Sequence, residues 1–154
     1  MSSPHRPART PVSQRDYRDT MAQLATGVTI ITTRSAPGAF VGFTANSFNS
    51  VSLEPPLVAW SLARRSRSAG VFEQAARYCV NVLAESQRGL VARFAAASGD
   101  RFAGVTYHWE HEVPVLDGAA AAAVCAVDRI VTAADHALVL GSPRWSRQAS
   151  VVSA

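Results

Sequence analysis

Apolar spacing changes once in the first quarter of the chain, and the change marks a boundary. Tyr17, Met21, Leu24 and Ala25 fall at i, i+4, i+7 and i+8, one face of a helix. Ser13 stands where an N-cap is needed, Asp16 lies in the first turn and Gly27 follows the end, so the spacing predicts a helix over 13–27. From Val28 the pattern turns β-branched. VTIITT (28–33) reads as a strand, SAPG (35–38) as a turn and AFVGFTAN (39–46) as the returning strand of a hairpin. Pro55 and Pro56 then precede LVAWSLA, a near-continuous apolar run that predicts a third strand, buried on both faces.

RRSRSAGVFEQAARY predicts a short helix capped by Ser66 or Ser68 and ending near Arg77. YCVNVL (78–83) is a fourth strand. SQRGLVARFAAASG predicts a helix capped by Ser86 and closed by Gly99, with Leu90, Val91 and Phe94 inward. DRFAGVTYHWEHEVPVLDG reads as a loop, because Pro114 and Gly118 break regularity. The alanines of AAAAAVCAVDRIVTA favour a helix, but the alternating β-branched run from Val124 to Val131 favours a strand. HALVLG (136–141) is the last. About six strands and three helices, without strict β-α-β alternation, define a β-rich α+β class built on an antiparallel barrel.

A chain of 154 residues makes one domain. Residues 1–12 read as a flexible polar leader, 13–141 as the domain and 142–154 as an atypical, truncated or altered tail, with Pro143 where a strand should run on. A hydrophobic share of 48% against 17% charged excludes intrinsic disorder. No apolar run reaches membrane-spanning length, and the leader lacks the apolar core of a secretory signal, so a cytoplasmic location is expected. The formal charge of +4 invites a nucleic-acid reading, yet the 11 arginines and 11 acids of residues 13–140 cancel. The surplus sits in the two terminal stretches, which argues against a nucleic-acid surface on the body. Cys79 and Cys125 lie in apolar runs and read as buried, reduced thiols. No Cys/His spacing suits a metal, and no G-x-G-x-x-G, Walker A or G-x-S-x-G motif is present.

The chemistry concentrates in three stretches. TANSFNSVS puts Thr44, Asn46, Ser47, Asn49, Ser50 and Ser52 at the end of a strand. Such uncharged donors and acceptors match the edge of a flat heteroaromatic ring, or they satisfy their own turn. ARRSRSAG puts Arg64, Arg65, Arg67, Ser66 and Ser68 at a helix start, which suits a phosphate or is a solvated loop with an ordinary cap. In ARFAAASGDRFAG, Arg93 faces a phosphate or solvent and Arg101 follows the helix, while Phe94 and Phe102 read as core. His136 opens the last strand as a structural or a functional histidine; His108 and His111 read as loop surface.

In order and at matching spacing, TGVTIITT, GFTANSFNSVSLEPPLVAWSL, SRS, YCVNVLAESQ, ARFA, DRFAG, PVLDG and DHALVLG resemble the flavin reductase domain. More narrowly they resemble the small reductase components of two-component flavin monooxygenases, over residues 14 to about 141. The resemblance implies an FMN-binding split barrel with flanking short helices, usually a homodimer with the flavin near the subunit interface. It implies that Thr44, Ala45, Asn46, Ser47, Ser50, Val51, Ser52 and Ser61 hold the flavin. Ser66, Ser68, Arg93 and Phe94 would serve its phosphate end, and His136 would meet the nicotinamide. The implied activity is hydride transfer from NADH or NADPH to FMN or FAD, the reduced flavin diffusing to a partner oxygenase. Two features depart from the family pattern: Ala134 replaces the usual glycine before Asp135–His136, and the tail after Gly141 is unlike the family's closing hairpin. The alternatives are a non-catalytic flavin- or haem-binding split barrel, a reductase disabled by that tail, or an arginine-rich interaction domain without cofactor.

Overall fold

The computed structural model describes Ser13, Arg15 and residues 28–45, 47–96 and 100–149. The helix expected over 13–27, Asn46 and the helix end at Gly99 lie outside the described residues. Nine strands are described: β1 (Thr29–Ala36), β2 (Ala39–Ala45), β3 (Asn49–Leu53), β4 (Pro56–Ala63), β5 (Arg77–Val82), β6 (Tyr107–Glu110), β7 (Val113–Leu116), β8 (Ala121–Ala133) and β9 (His136–Gln148). Seven form one antiparallel sheet in the order β2-β1-β5-β8-β9-β4-β3, and β6 with β7 forms a separate ribbon. The sheet curls until Phe43 of β2 lies 5.5 Å from Trp60 of β4, while the edge strands β2 and β3 share no ladder. This is the expected β-rich split barrel with short helices at its sides.

The interior is filled from alternating positions of the curled strands and from the short helix Ala69–Gln74. Trp60 is fully buried and meets Phe72 edge-on at 5.2 Å and Tyr78 at 5.5 Å. Each such ring pair adds about 0.5–1.5 kcal/mol beyond its buried area. Burial drives the Tyr78 hydroxyl pKa far up. That hydroxyl crosses over β9, where a Cβ on residue 141 would stand 2.0 Å from it, so Gly141 is demanded by packing. Cys79 and Cys125 are free, buried thiols, pushed by burial to about 12 and about 11 and therefore inert.

Three strands were not expected. β3 is short and apolar only at Val51 and Leu53, both exposed, so no buried face announced it. The β6–β7 hairpin turns on His111 and Glu112 with φ of 47° and 71°. Two positive φ values are the sign of a type I′ turn, which sequence signals through Asn-Gly rather than His-Glu. Pro114 is tolerated because β7 has a ladder partner only in β6.

The helices are shorter than expected. The first stops at Gln74, and the second is a 3₁₀ turn at Glu85–Gln87 followed by a helix over Leu90–Ala95 capped by Gly89, not Ser86. Gln87 takes over the turn: its side-chain oxygen accepts from Ala84 N at 3.0 Å and its amide donates to the Asp117 carbonyl at 2.9 Å.

The last strand does not end at Gly141. β9 runs through Pro143 to Gln148, and Trp145 packs on the buried residues beneath the β6–β7 ribbon. β4 pairs with β9 only as far as Gly141, so the remainder has a free side where a missing N–H costs nothing. The register also slips there: Cys125 faces Pro143 and Val124 faces Trp145, which leaves Arg144 as the extra residue of a bulge.

Candidate functional site

Where β2 gives way to β3, the polar side chains are partly committed to the protein. Thr44 Oγ1 donates to the Val91 carbonyl at 2.8 Å and ties β2 to the Leu90–Ala95 helix. Ser47 Oγ accepts from the Ser61 backbone N at 2.9 Å and faces its carbonyl at 3.4 Å, which ties the corner to β4. Ala45 is buried, and its carbonyl accepts from Thr29 Oγ1. Beyond the corner Ser50 pairs with Val58 and Ser52 with Leu57, so Val51 is the bulged residue between them. A bulge bends the strand and re-aims its side chains, and it leaves Ser50 and Val51 exposed with Ser52 half-buried.

The second part lies in the loop after β4. Ser66 Oγ accepts from Ser68 N at 3.3 Å and shapes the loop. Ser68 stands at the N-cap position of the Ala69–Gln74 helix, yet its side chain makes no capping bond. It lines a cavity of about 240 Å³ together with Gly42, Arg67 and Arg101. A helix of six residues supplies little dipole, so the arginines carry the positive field here.

Arg101 is held by the chain itself: Nη1 donates to the Gly42 carbonyl at 2.7 Å and Nη2 to the Ala96 carbonyl at 2.6 Å. Its buried Nε has no partner among the described residues. Burial first, and the Arg67 charge second, lower its pKa from the usual guanidinium value. Two like charges face one cavity, and neither has an ion pair among the described residues, which suits an anion.

Neither Arg93 nor Phe94 lines the cavity of Ser68 and Arg101. The Arg93 guanidinium is exposed, donates to the Ala103 carbonyl and does not line this cavity. Phe94 is fully buried with Ile30 and Leu116, and its ring fills the space a Cβ on Gly42 would take, at 2.8 Å. It is floor rather than ligand surface. Arg101, which follows the Leu90–Ala95 helix, lines the cavity where Arg93 does not. The arginine after the helix was visible in the sequence, but its reach back to Gly42 depends on the tertiary structure.

His136 begins β9 opposite Ala63, and its Nδ1 lies 2.9 Å from Asp135 Oδ1. That bond holds the Asp135 carboxyl below its ordinary pKa range. Arg64 N donates to the Asp135 carbonyl at 3.0 Å, so the turn carrying His136 is pinned to the loop of Ser66 and Ser68. Ala134 adopts φ 55°, the left-handed conformation in which glycine is favoured. His108, by contrast, sits in a surface pair with Asp117 at 2.6 Å. Among the described residues no three His, Cys, Asp or Glu side chains are grouped to hold a metal ion.

The fold is an open split barrel in which the Ser47 corner and the His136 turn are both tied to β4 or the loop that follows it, the loop that also carries Arg67 and Ser68. The sequence profile of the flavin reductase like domain matches residues 21–150, and the chain belongs to that family. It is 44% identical over 139 residues to an NADH:riboflavin 5′-phosphate oxidoreductase of Streptomyces pristinaespiralis, covering 89% of this chain and 79% of that one. It is 41% identical over 128 residues to the reductase component of a flavin-dependent trigonelline monooxygenase of Acinetobacter baylyi, covering 82% of this chain but only 41% of that relative. The NADH:FAD oxidoreductase SgcE6 of Streptomyces globisporus, solved with NAD and FAD fragments, superposes with a TM-score of 0.82 at 30% identity, over 91% of this chain and 87% of that one.

Proposed function

We propose that this chain is an NAD(P)H:flavin oxidoreductase that supplies reduced flavin to a partner monooxygenase by diffusion. The observation that carries the reading is the cavity of Gly42, Arg67, Ser68 and Arg101, built partly from β2, the strand that leads into the Ser/Thr corner, in a chain of this family. The donor set fits a flavin phosphate: two cations without ion pairs, a buried guanidinium Nε without a partner and a serine hydroxyl making no cap. When bound, flavin supplies a two-electron acceptor for hydride from the nicotinamide.

The chain's own residues bind, orient and exclude water. Ser47, held against β4, and Ser50 and Ser52, re-aimed by the bulge at Val51, offer donors and acceptors to the ring edge. Thr44, Ala45 and Ser61 belong to the same wall, Ala45 through its backbone alone; Asn46, outside the described residues, joins them by sequence. Ser66 and Ser68 with Arg67 and Arg101 take the phosphate. His136, oriented by Asp135, places the nicotinamide. No general acid or base is needed for hydride transfer, so proximity is the protein's contribution.

The edge strand β3 supports a homodimer. Leu53 is 85% exposed and Val51 54%, and an uncovered apolar edge is a pairing surface. Replacing Leu53 by Asp should shift the sedimentation of a dimer to that of a monomer. Among the described residues no helix is long and apolar enough to cross a membrane. A cytoplasmic place of work is part of the proposal, since NAD(P)H is supplied there and both cysteines are free. The deciding experiment follows anaerobic bleaching of flavin absorbance by NADH with catalytic amounts of the chain. Bleaching that saturates in both substrates supports the reading; flavin that stays oxidised overturns it. His136→Ala should raise KM for NADH and leave flavin affinity nearly unchanged.

A further inference from the structure

The cationic cavity does not end at Arg67. A groove of about 430 Å³ continues from it between the Ala69–Gln74 helix and the end of β1, lined by Arg34, Ser35, Arg67, Gly70 and Gln74. It shares Arg34, Ser35 and Gln74 with a further hollow of about 420 Å³ that reaches Arg77 and the β6–β7 turn. The helix is six residues long, so the groove carries the surface about 9 Å beyond the Ser68 end. Arg34 and Arg67 make no hydrogen bond or ion pair among the described residues. The acids nearby, Asp100 on the first cavity and Glu112 on the last hollow, pair with neither. A guanidinium lying free in each of two joined cavities, with small residues between them, is an arrangement for two linked phosphates rather than one.

Building on the flavin reading above, we propose that the groove of Arg34 and Gln74 binds the adenylate half of a flavin dinucleotide. Arg67 then stands between the two phosphates. Arg34 meets the distal phosphate or its ribose, and the Gln74 amide supplies a donor and an acceptor to the sugar or base. Gly70 keeps the helix side of the groove open, since nothing stands within 4 Å of where its Cβ would be. The 5′-phosphate cavity serves FMN and FAD alike, and only the longer ligand gains from the groove. The chain is therefore selective for FAD.

The test is titration of the full chain with FMN and with FAD, for the parent and for Arg34→Gln and Gln74→Glu. Both positions are exposed, so both variants keep the fold. A charge-assisted bond to an exposed arginine makes FAD bind about tenfold tighter than FMN in the parent. Each variant should bring the two affinities to within about twofold by weakening FAD alone, whereas raised salt should weaken both flavins in the parent, because both carry a phosphate. Equal affinity of the parent for both flavins, or parallel loss of both in the variants, overturns the groove assignment. An Arg34→Gln effect on NADPH over NADH, with FAD unaffected, also overturns it and gives the groove to the 2′-phosphate. Failure to bind either flavin defeats the flavin reading itself, whereas FMN binding without any FAD advantage defeats only the groove.

Discussion

Two polar regions of this molecule follow opposite rules. Beneath the β6–β7 ribbon, Asn81 is fully buried near the end of β5. Its Nδ2 donates to the Ile30 carbonyl at 2.9 Å and to Thr32 Oγ1 at 3.1 Å, and its Oδ1 accepts from Leu116 N at 2.9 Å. Thr32 Oγ1 in turn donates to the Pro114 carbonyl at 2.6 Å. Every one of these bonds is internal, and together they fasten the ribbon onto β1 and β5. At the cavity of Arg67 and Arg101 the bonds are internal only where they hold a side chain in place. Among the described residues, the charges themselves form no ion pair. Buried polarity that is fully paired specifies a fold, and charge that is positioned but unpaired is kept for a ligand.

Breaking the first region should cost the most. Asn81→Ala strands the Leu116 N–H and the Ile30 carbonyl and frees one side of Thr32, for a loss of about 4 kcal/mol in denaturant unfolding. A loss under about 1 kcal/mol would mean that the ribbon is fastened by its apolar contacts alone. Gly141→Ala comes next: the methyl collides with the Tyr78 hydroxyl, and relief requires moving a ring packed on Trp60. Overpacking of this kind costs about 2–3 kcal/mol.

The cavity should respond the other way. Arg67→Ala is expected to leave the melting temperature unchanged and to weaken FMN by about 1.5 kcal/mol, roughly tenfold, while riboflavin loses little. Equal losses for both ligands would show that the cavity does not see phosphate. The smallest effect concerns the turn beside His136. Ala134 is held at φ 55°, so Ala134→Gly should stabilise the chain by about 1 kcal/mol. If it also lowers KM for NADH, relief of the turn moves His136; if KM is unchanged, the strain is local.

Much of the fold was legible because local rules carried it. β1, β2, β4, β5, the body of β8 from Val124 and the start of β9 announce themselves by β-branched, alternating or unbroken apolar runs, as the interior of a curled sheet requires. The ordered motifs around Thr44 to Ser52, Ser66 to Ser68 and His136 were readable as a family resemblance. The pieces that escaped lack a local signal. β3 buries too little to show alternation, the β6–β7 hairpin turns without glycine, and β9 passes through a proline that only an unpaired strand side and a bulge make tolerable.

The site divides along the same line. Residue types and spacing determined that uncharged hydroxyls and amides would gather where β2 ends, and that serines and arginines would gather after β4. They did not determine which of those groups stay free. Thr44 is drawn to Val91, Phe94 sinks beneath Gly42, and Arg101 swings back to Gly42 and lines the cavity of Ser68. These outcomes follow from strand register and sheet closure, which bring together residues tens of positions apart. Hydrogen-bond satisfaction is a property of the assembled barrel, so only the tertiary structure could decide it.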